Sequence, residues 1–407
     1  MTDHHYIGLD VHKKTIQYCI KLADGTLVEQ GRIPATRAAL ADWVQRRKQP
    51  WKGAMEATMF SAWIYDELAP HAVELKVAHS ASLKAIAAAK HSSDRLDART
   101  IADLVRVNWI PAVWMAPPAI RALRQQLRYR NLVVRQSTQT KNRIASTLME
   151  HGVEYSKSKL HGKKYFHQLL DSLHQLPDPV RQILRHSRGN LEMFQTTQQL
   201  LLKHLHANPQ LAERVQLLET IPGVGQVTAL SWALEIGDPH RFASAGRAMS
   251  YCGLVAPQQE SAGKQYRQPL SKQRNAHLQT VLIEAAHLVP RFHPELLKLY
   301  EQVKAKRHAN AAAVTVARKL VSYLLAVDKS RKPFQMRTAE APSSPTGKGV
   351  FPPPPPICDP ELARPSSPSR VRSAAAKTAA PRTAPGGRAD GETAMGGSGG
   401  KTRRRTG

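Results

Sequence analysis

Apolar and polar positions alternate in short stretches through the first eighty residues and at helical spacing over most of the next 250. Tyr6 to Val11 is a run rich in β-formers and Thr15 to Leu22 alternates. Ala23-Asp24-Gly25-Thr26 has the composition of a turn, and a third strand is predicted from Leu27 to Ile33. With connections this short, the three strands are predicted to run antiparallel. Helical spacing starts at Thr36, followed by a strand at Gly53 to Glu56, a helix from Phe60 to Leu68, a strand at Val73 to Ala78 and an Ala-rich helix from Ser82. From Pro117 to about residue 216 the spacing is helical, polar and basic, with Leu123, Leu127, Leu132 and Ile144 set among Arg and Lys. This reads as a helical connector, coiled-coil in character, or as a solvated helix face. Residues 217–330 form a second unit of apolar segments and glycine turns.

The order βββαβαβα in residues 1–116 predicts a ribonuclease-H-like α/β domain, so the fold class expected is α/β plus α. In that order the fourth strand lies beside the first. Beyond residue 338 Pro, Ala, Ser, Gly and Arg take over, including the run Pro352 to Pro356, and residues 338–407 are expected to be a disordered tail. The charge sharpens the picture. The chain has 59 Lys+Arg against 31 Asp+Glu, a net +28. The tail holds 11 basic and 5 acidic residues, so +22 belongs to residues 1–337. Such a field favours a polyanionic partner, nucleic acid first. The amino terminus has no basic n-region or apolar h-region and no run of about 18 apolar residues occurs, so the expectation is a cytoplasmic chain with no membrane partner. Cys19, Cys252 and Cys358 are too scattered for a disulfide framework or a zinc module.

Four carboxylates carry the candidate chemistry. Asp10 interrupts the apolar strand Ile7-Gly8-Leu9-Asp10-Val11, where a half-buried carboxylate is expensive without a cationic partner such as a metal ion. Glu56 ends Gly53-Ala54-Met55-Glu56, the strand predicted beside the first. Asp94 and Asp97 stand three apart and, on a helix, share a face. Together such acids can hold two Mg²⁺ for phosphodiester chemistry. Taken singly each also has a plain reading: a strand-end turn, a helix N-terminal acid, an N-cap and a partner for Arg95 or Arg99.

Gly8-Leu9-Asp10-Val11-His12-Lys13, Met55-Glu56-Ala57-Thr58 and Ser93-Asp94-Arg95-Leu96-Asp97-Ala98 resemble the three blocks of the DEDD, RuvC-like domain of IS110/IS1111-family transposases. The resemblance continues through Leu127-Arg128-Tyr129-Arg130 and Lys141-Asn142-Arg143-Ile144 to about residue 330. It implies nucleic-acid contacts at Arg128, Arg130, Lys141 and Arg143.

Farther on, Thr220-Ile221-Pro222-Gly223-Val224-Gly225-Gln226 has the grammar of a helix-hairpin-helix. There Gly223 and Gly225 would turn backbone N–H groups toward a phosphate, or simply join two helices. Ser261-Ala262-Gly263-Lys264 follows a Gly253-Leu254-Val255-Ala256-Pro257 block and precedes Arg267, Lys272 and Arg274. A serine among small residues and cations can attack a phosphodiester, although Ser-Ala-Gly is also an ordinary turn. The family places its nucleophilic serine in such an element, which implies Ser261; Lys264, Arg267 and Lys272 then become nucleic-acid contacts. Ala262 and Arg274 depart from the family's pattern, while Ser271, Lys272 and Asn275 match a second block, so Ser271 is the other candidate. The resemblance further implies a DNA transposase or recombinase acting on donor and target DNA, a bridge-type guide RNA, a serine–DNA intermediate and a homo-oligomer of two to four chains. The residues by themselves also accommodate a metal-dependent junction nuclease or a non-catalytic nucleic-acid-binding remnant.

Overall fold

A computed structural model describes residues 4–86, 94–261, 264–267 and 269–336. The amino-terminal half is a six-stranded mixed sheet in the order β3-β2-β1-β4-β5-β6. Its strands are β1 (His5–Val11), β2 (Thr15–Lys21), β3 (Leu27–Pro34), β4 (Trp51–Glu56), β5 (Glu74–Ala78) and β6 (Ala112–Val113). The first three are antiparallel, as the short turns dictate, and β4 pairs with β1 in parallel. The short β6, antiparallel to β5, has no counterpart in the pattern reading, since two residues are too few to establish a period.

Alternation along β1 and β4 divides the sheet's two faces. Ile7, Leu9, Val11 and Met55 pack in one apolar cluster with Leu40 and Trp43 of α1 (Arg37–Gln45) and Ile64 and Leu68 of α2 (Ser61–Leu68). On the opposite face Ala54 and Ala78 pack with Leu83 of α3 (Ser80–Ile86) and with Ile101, Leu104 and Val105 of α4 (Asp94–Arg106). Gly8, between Ile7 and Leu9, lies under α4 so closely that a Cβ there would stand 2.0 Å from the Ala98 carbonyl oxygen and 2.4 Å from the Ala102 nitrogen. Only glycine in the strand and alanine in the helix allow backbones to meet at this distance.

Nine further α-helices and a hairpin follow among the described residues. Helix α5 (Pro118–Glu150) is 33 residues long and packs along α7 (Asp178–His206), with α6 (Lys163–Ser172) sharing a separate apolar cluster at Phe166 and Leu170. Then come α8 (Pro209–Glu219), α9 (Gln226–Ile236), α10 (Ala245–Tyr251), the hairpin β7 (Gln258–Ser261) and β8 (Lys264–Arg267), α11 (Ala276–Leu288), α12 (Pro294–Lys306) and α13 (Ala309–Ser330). Leu230, Trp232, Leu282, Val316, Leu320 and Leu324 sit at the centre of their common core. Helix α13 is long and apolar enough to cross a membrane by length and composition, contrary to the expectation of no such run. Its apolar positions Val316, Leu320, Val321 and Leu324 are buried in that core.

Two glycine contacts hold this helical part together. Gly223, at φ +81°, closes the turn between α8 and α9, where a Cβ would meet Val289 Cα at 2.9 Å. Gly237, at φ +68°, leaves a niche for the Trp114 ring, whose atoms would lie 2.2 Å from an added Cβ. Trp114 also lies under the Arg241 guanidinium, 4.8 Å from the ring centre, so the chain leaving the sheet is anchored on the helical half.

Candidate active site

Strand register brings the first two carboxylates together. The last β1–β4 pair is Leu9↔Met55, and Asp10 and Glu56 are the next residue on each strand. Because Leu9 and Met55 face the α1–α2 cluster, Asp10 and Glu56 face α4. Asp10 is only 5% exposed, and its Oδ2 lies 2.9 Å from His12 Nε2, two residues on along the turn to β2. Glu56 is half-buried. Beyond it, Ser61 donates to the Glu56 carbonyl (2.7 Å) and its hydroxyl accepts from Thr58 N–H (2.7 Å), fixing the turn that follows the strand.

Helix α4 delivers the second pair of acids to the same end. Near its carboxyl end, Asp103 pairs with Lys21 (2.5 Å) and Arg106 donates to the Ala23 carbonyl (3.2 Å). Lys21 is opposite Tyr6, at the start of β1. Thus α4 runs antiparallel to β1, and its first turn, with Asp94 and Asp97, rises at the end where Asp10 and Glu56 lie. Asp97 is half-buried; the Asp94 side chain lies outside the description. Arg99, considered as a partner for Asp97, donates to Gln30 Oε1 (2.8 Å). All four expected acids therefore belong to elements converging on one corner of the sheet. Among the described residues, no three His, Cys, Asp or Glu side chains stand close enough to hold a metal ion. The donor set is nevertheless of carboxylate oxygens, the chemistry that Mg²⁺ and similar hard cations take.

The serine candidates lie in the helical half. Ser261 ends β7, its backbone paired with Lys264 of β8; the side chains of Ser261, Lys264 and Arg267 are outside the description. Ser271 uses its hydroxyl locally, accepting from Gln273 N–H at 3.1 Å. Arg274 donates to the Ser271 carbonyl (2.8 Å) and lays its stem over Gly253, a position held at φ +70°, where a Cβ would stand 2.5 Å from that stem. Lys272 is exposed between them.

The basic positions of the long helix are in different situations. Arg128 is engaged internally: its Nε and Nη2 both donate at 2.8 Å to the two oxygens of Glu235, which is wholly buried. Arg130 is partly buried, which depresses its pKa, and it donates to Asn131 Oδ1 (3.1 Å). Lys141 is half-exposed and Arg143 exposed. At the α8–α9 turn Gly223 is packed against Val289, whereas Gly225 opens α9 with no atom within 4 Å of where a Cβ would sit.

Glu235 was not singled out from sequence, although the signal was there: one acid in the apolar stretch Ala229-Leu230-Ser231-Trp232-Ala233-Leu234-Glu235-Ile236. Besides Arg128, it accepts from Asn275 Nδ2 (2.8 Å), and Arg124 Nε approaches to 3.7 Å. Burial would raise its pKa, but the hydrogen-bonded Arg128 guanidinium, with Asn275 and Arg124, holds the carboxyl below the usual glutamate range. Asn275 uses its side-chain oxygen Oδ1 to cap α11, accepting from Leu278 N–H (3.1 Å). One buried carboxylate thus ties α5 to α9 and to the loop that carries Lys272. Cys252 is also buried and its thiol pKa is pushed up to about 12, so it is a packing residue.

Residues 7–152 match the profile of a DEDD transposase of IS110 type, and residues 215–301 match the profile described as "Transposase IS116/IS110/IS902 family". The chain belongs to the IS110 family of transposases. It is 27% identical over 209 residues to the transposase for insertion sequence element IS1111A of Coxiella burnetii, covering 49% of this chain and 56% of that protein. It is 27% identical over 201 residues to the transposase for IS1328 of Yersinia enterocolitica (47% and 58%). A pilin gene-inverting protein of Moraxella bovis is 31% identical over 143 residues, 33% of this chain and 43% of its own. The chain thus spans about half the length of the curated relatives it matches.

Proposed function

We propose that this IS110-family member is a DNA transposase that cleaves and exchanges strands through a serine–DNA intermediate, guided by a bridge-type RNA. The observation that carries the reading is the pairing of β1 with β4, which sets Asp10 beside Glu56 under the amino-terminal turn of α4. A purely binding protein gains little from an acidic corner facing phosphates, whereas phosphodiester chemistry uses one. The inversion of a pilin gene named in the Moraxella relative is itself a rearrangement of DNA, which favours recombination over simple degradation.

In this reading Asp10, Glu56, Asp94 and Asp97 would hold divalent cations, taken to be two Mg²⁺, which supply charge stabilisation to the reacting phosphate. His12, in contact with Asp10, orients that carboxylate. Ser261 Oγ attacks a DNA phosphorus: a new P–O bond forms to the serine, the bond to a deoxyribose oxygen breaks, the serine proton passes to solvent, and the leaving oxygen takes a proton from solvent to become a hydroxyl. Attack by a deoxyribose hydroxyl of the exchanged strand reverses the step and frees the serine. Lys264, Arg267 and Lys272 steady the phosphate, while Gly225 at the opening of α9 and Lys141 and Arg143 on α5 contact the backbone without reading sequence. The homo-oligomer is a dimer to tetramer, and the tail, outside the described residues, is an accessory tether.

The test is to incubate the full chain with supercoiled cognate DNA and Mg²⁺ and to look for DNA retained on protein until proteinase is added. Retained DNA, with the linked tryptic peptide carrying Ser261, is the expected result. Ser261→Ala abolishes it and Ser271→Ala does not. Free nicks without retained DNA identify a water-using nuclease instead, and a link at Ser271 moves the nucleophile. Sequencing RNA that co-purifies with the chain tests the guide.

A further inference from the structure

A cleft of about 950 Å³, lined in part by cationic and polar side chains, lies between the sheet half and the helical half. One wall is the segment that follows β5, with His79 and Ser82; the other is the loop and helix start carrying Lys272, Arg274 and His277, and Arg128 closes the floor. No lining residue is acidic. Its position relative to the carboxylates follows from register: Ala78 is paired with Glu56, and His79 is the next residue. Ser80 donates to the Ala57 carbonyl (2.8 Å), so the cleft opens directly beside the end of the acid-bearing strand.

Both walls are held rigid. His79 Nδ1 lies 3.1 Å from Ser82 Oγ, and the His79 N–H donates to the Pro111 carbonyl at 2.8 Å. Opposite, Asn275 is tied to Glu235 and caps α11, and Arg274 is bonded to the Ser271 carbonyl. Lys272 projects from this braced loop as an exposed cation. Cations and imidazoles facing each other, with the buried Glu235 carboxylate beneath them already bonded to Arg128 and Asn275, suit phosphodiester oxygens, and a groove that begins at the acidic corner suits a strand leading into it.

We infer that this cleft binds the backbone of a DNA strand running to the Asp10–Glu56 corner, with Lys272 and Arg274 on one side and His79 and Ser82 on the other. The inference rests on the proposed action on DNA and adds to it where the strand passes.

The experiment measures binding of the full chain to a fluorescent DNA duplex and to an RNA of the same sequence, by anisotropy across a salt series. Four variants are compared with the unaltered chain: Lys272→Glu, Ser82→Asp, their double variant, and Lys306→Glu. The last makes the same charge change on an exposed residue at the far end of α12. Lys272→Glu and Ser82→Asp are each expected to weaken DNA binding about tenfold at 0.1 M salt, with the slope of log K against log salt falling by about one for Lys272→Glu. The double variant should lose less than the product of the two, because both walls hold one strand. Lys306→Glu should stay near the unaltered chain. Unaltered DNA binding in Lys272→Glu and Ser82→Asp, losses no larger than those of Lys306→Glu, fully multiplicative losses, or losses confined to RNA would each overturn the inference while leaving action on DNA intact. Absence of DNA binding and cleavage by the unaltered chain would remove both readings.

Discussion

Two kinds of acidic residue interrupt apolar sequence here, and the chain treats them differently. In the helical half, Glu235 and Asp328 are buried and each grips an arginine with both oxygens: Arg128 at 2.8 and 2.8 Å, and Arg214 at 2.7 and 2.6 Å. Asp328 also accepts from Trp232 Nε1 at 2.9 Å. These acids act as rivets, their charge neutralised by permanent cations of the same chain. In the sheet half, Asp10 contacts a histidine, and Glu56 and the first turn of α4 stand at strand and helix ends, where the backbone stops and a ligand can approach. The lesson is that an acid in an apolar run signals only that something must balance it. Whether that something is an internal arginine or an incoming group is decided by where on its element the acid sits.

Breaking the contrast on the sheet side should have the largest effect. Asp10→Asn or Glu56→Gln should bring strand cleavage below detection while the thermal unfolding transition stays cooperative, checked by a nicking assay beside circular dichroism; Asp94→Asn and Asp97→Asn should behave alike. Unaltered turnover at limiting Mg²⁺ would make these acids structural.

On the helical side the effect should be on folding. Glu235→Ala leaves the partly exposed Arg128 and the half-buried Asn275 without their shared acceptor and should cost about 2–3 kcal/mol in denaturant unfolding. Its pH dependence has a defined sign. The Glu235 carboxyl titrates lower in the folded chain than in the unfolded one, so its contribution is complete above the unfolded glutamate value of about 4.3 and is lost as pH falls through the depressed folded value. The stability gap between the unaltered chain and Glu235→Gln should therefore be widest near neutrality and narrow in acid.

Smaller again is Gly8→Ala, which pushes a methyl group into the α4 backbone and should cost about 1–3 kcal/mol. Because α4 carries Asp94 and Asp97, cleavage should fall more than stability does. Smallest is truncation after Arg337: unfolding should be unchanged, and only the salt dependence of DNA binding should soften.

The strand order and the Asp10–Glu56 adjacency were legible because a period of two and short turns fix both register and neighbour. The direction of α4 was not, since it depends on Lys21 meeting Asp103 and on Gly8 admitting Ala98, contacts between residues far apart in sequence. The Arg128–Glu235 pair was not legible either, because a basic helix face looks the same whether its cations meet solvent or an acid from another helix. The seating of Trp114 against Gly237 and Arg241 is likewise a contact between residues far apart in sequence.

That anchor has a consequence for how the molecule comes apart. Cutting the chain at the 116/117 boundary suggested by its pattern would leave Trp114 on one fragment and its niche, with Arg241, on the other. It would also separate the acidic corner from Arg128, which closes the cleft. The seam between pattern regions is therefore not a seam of cooperativity: heat absorbed by one half is shared with the other, and a calorimetric scan of residues 4–336 should trace a single peak where two fragments, made separately, would give broad and early ones.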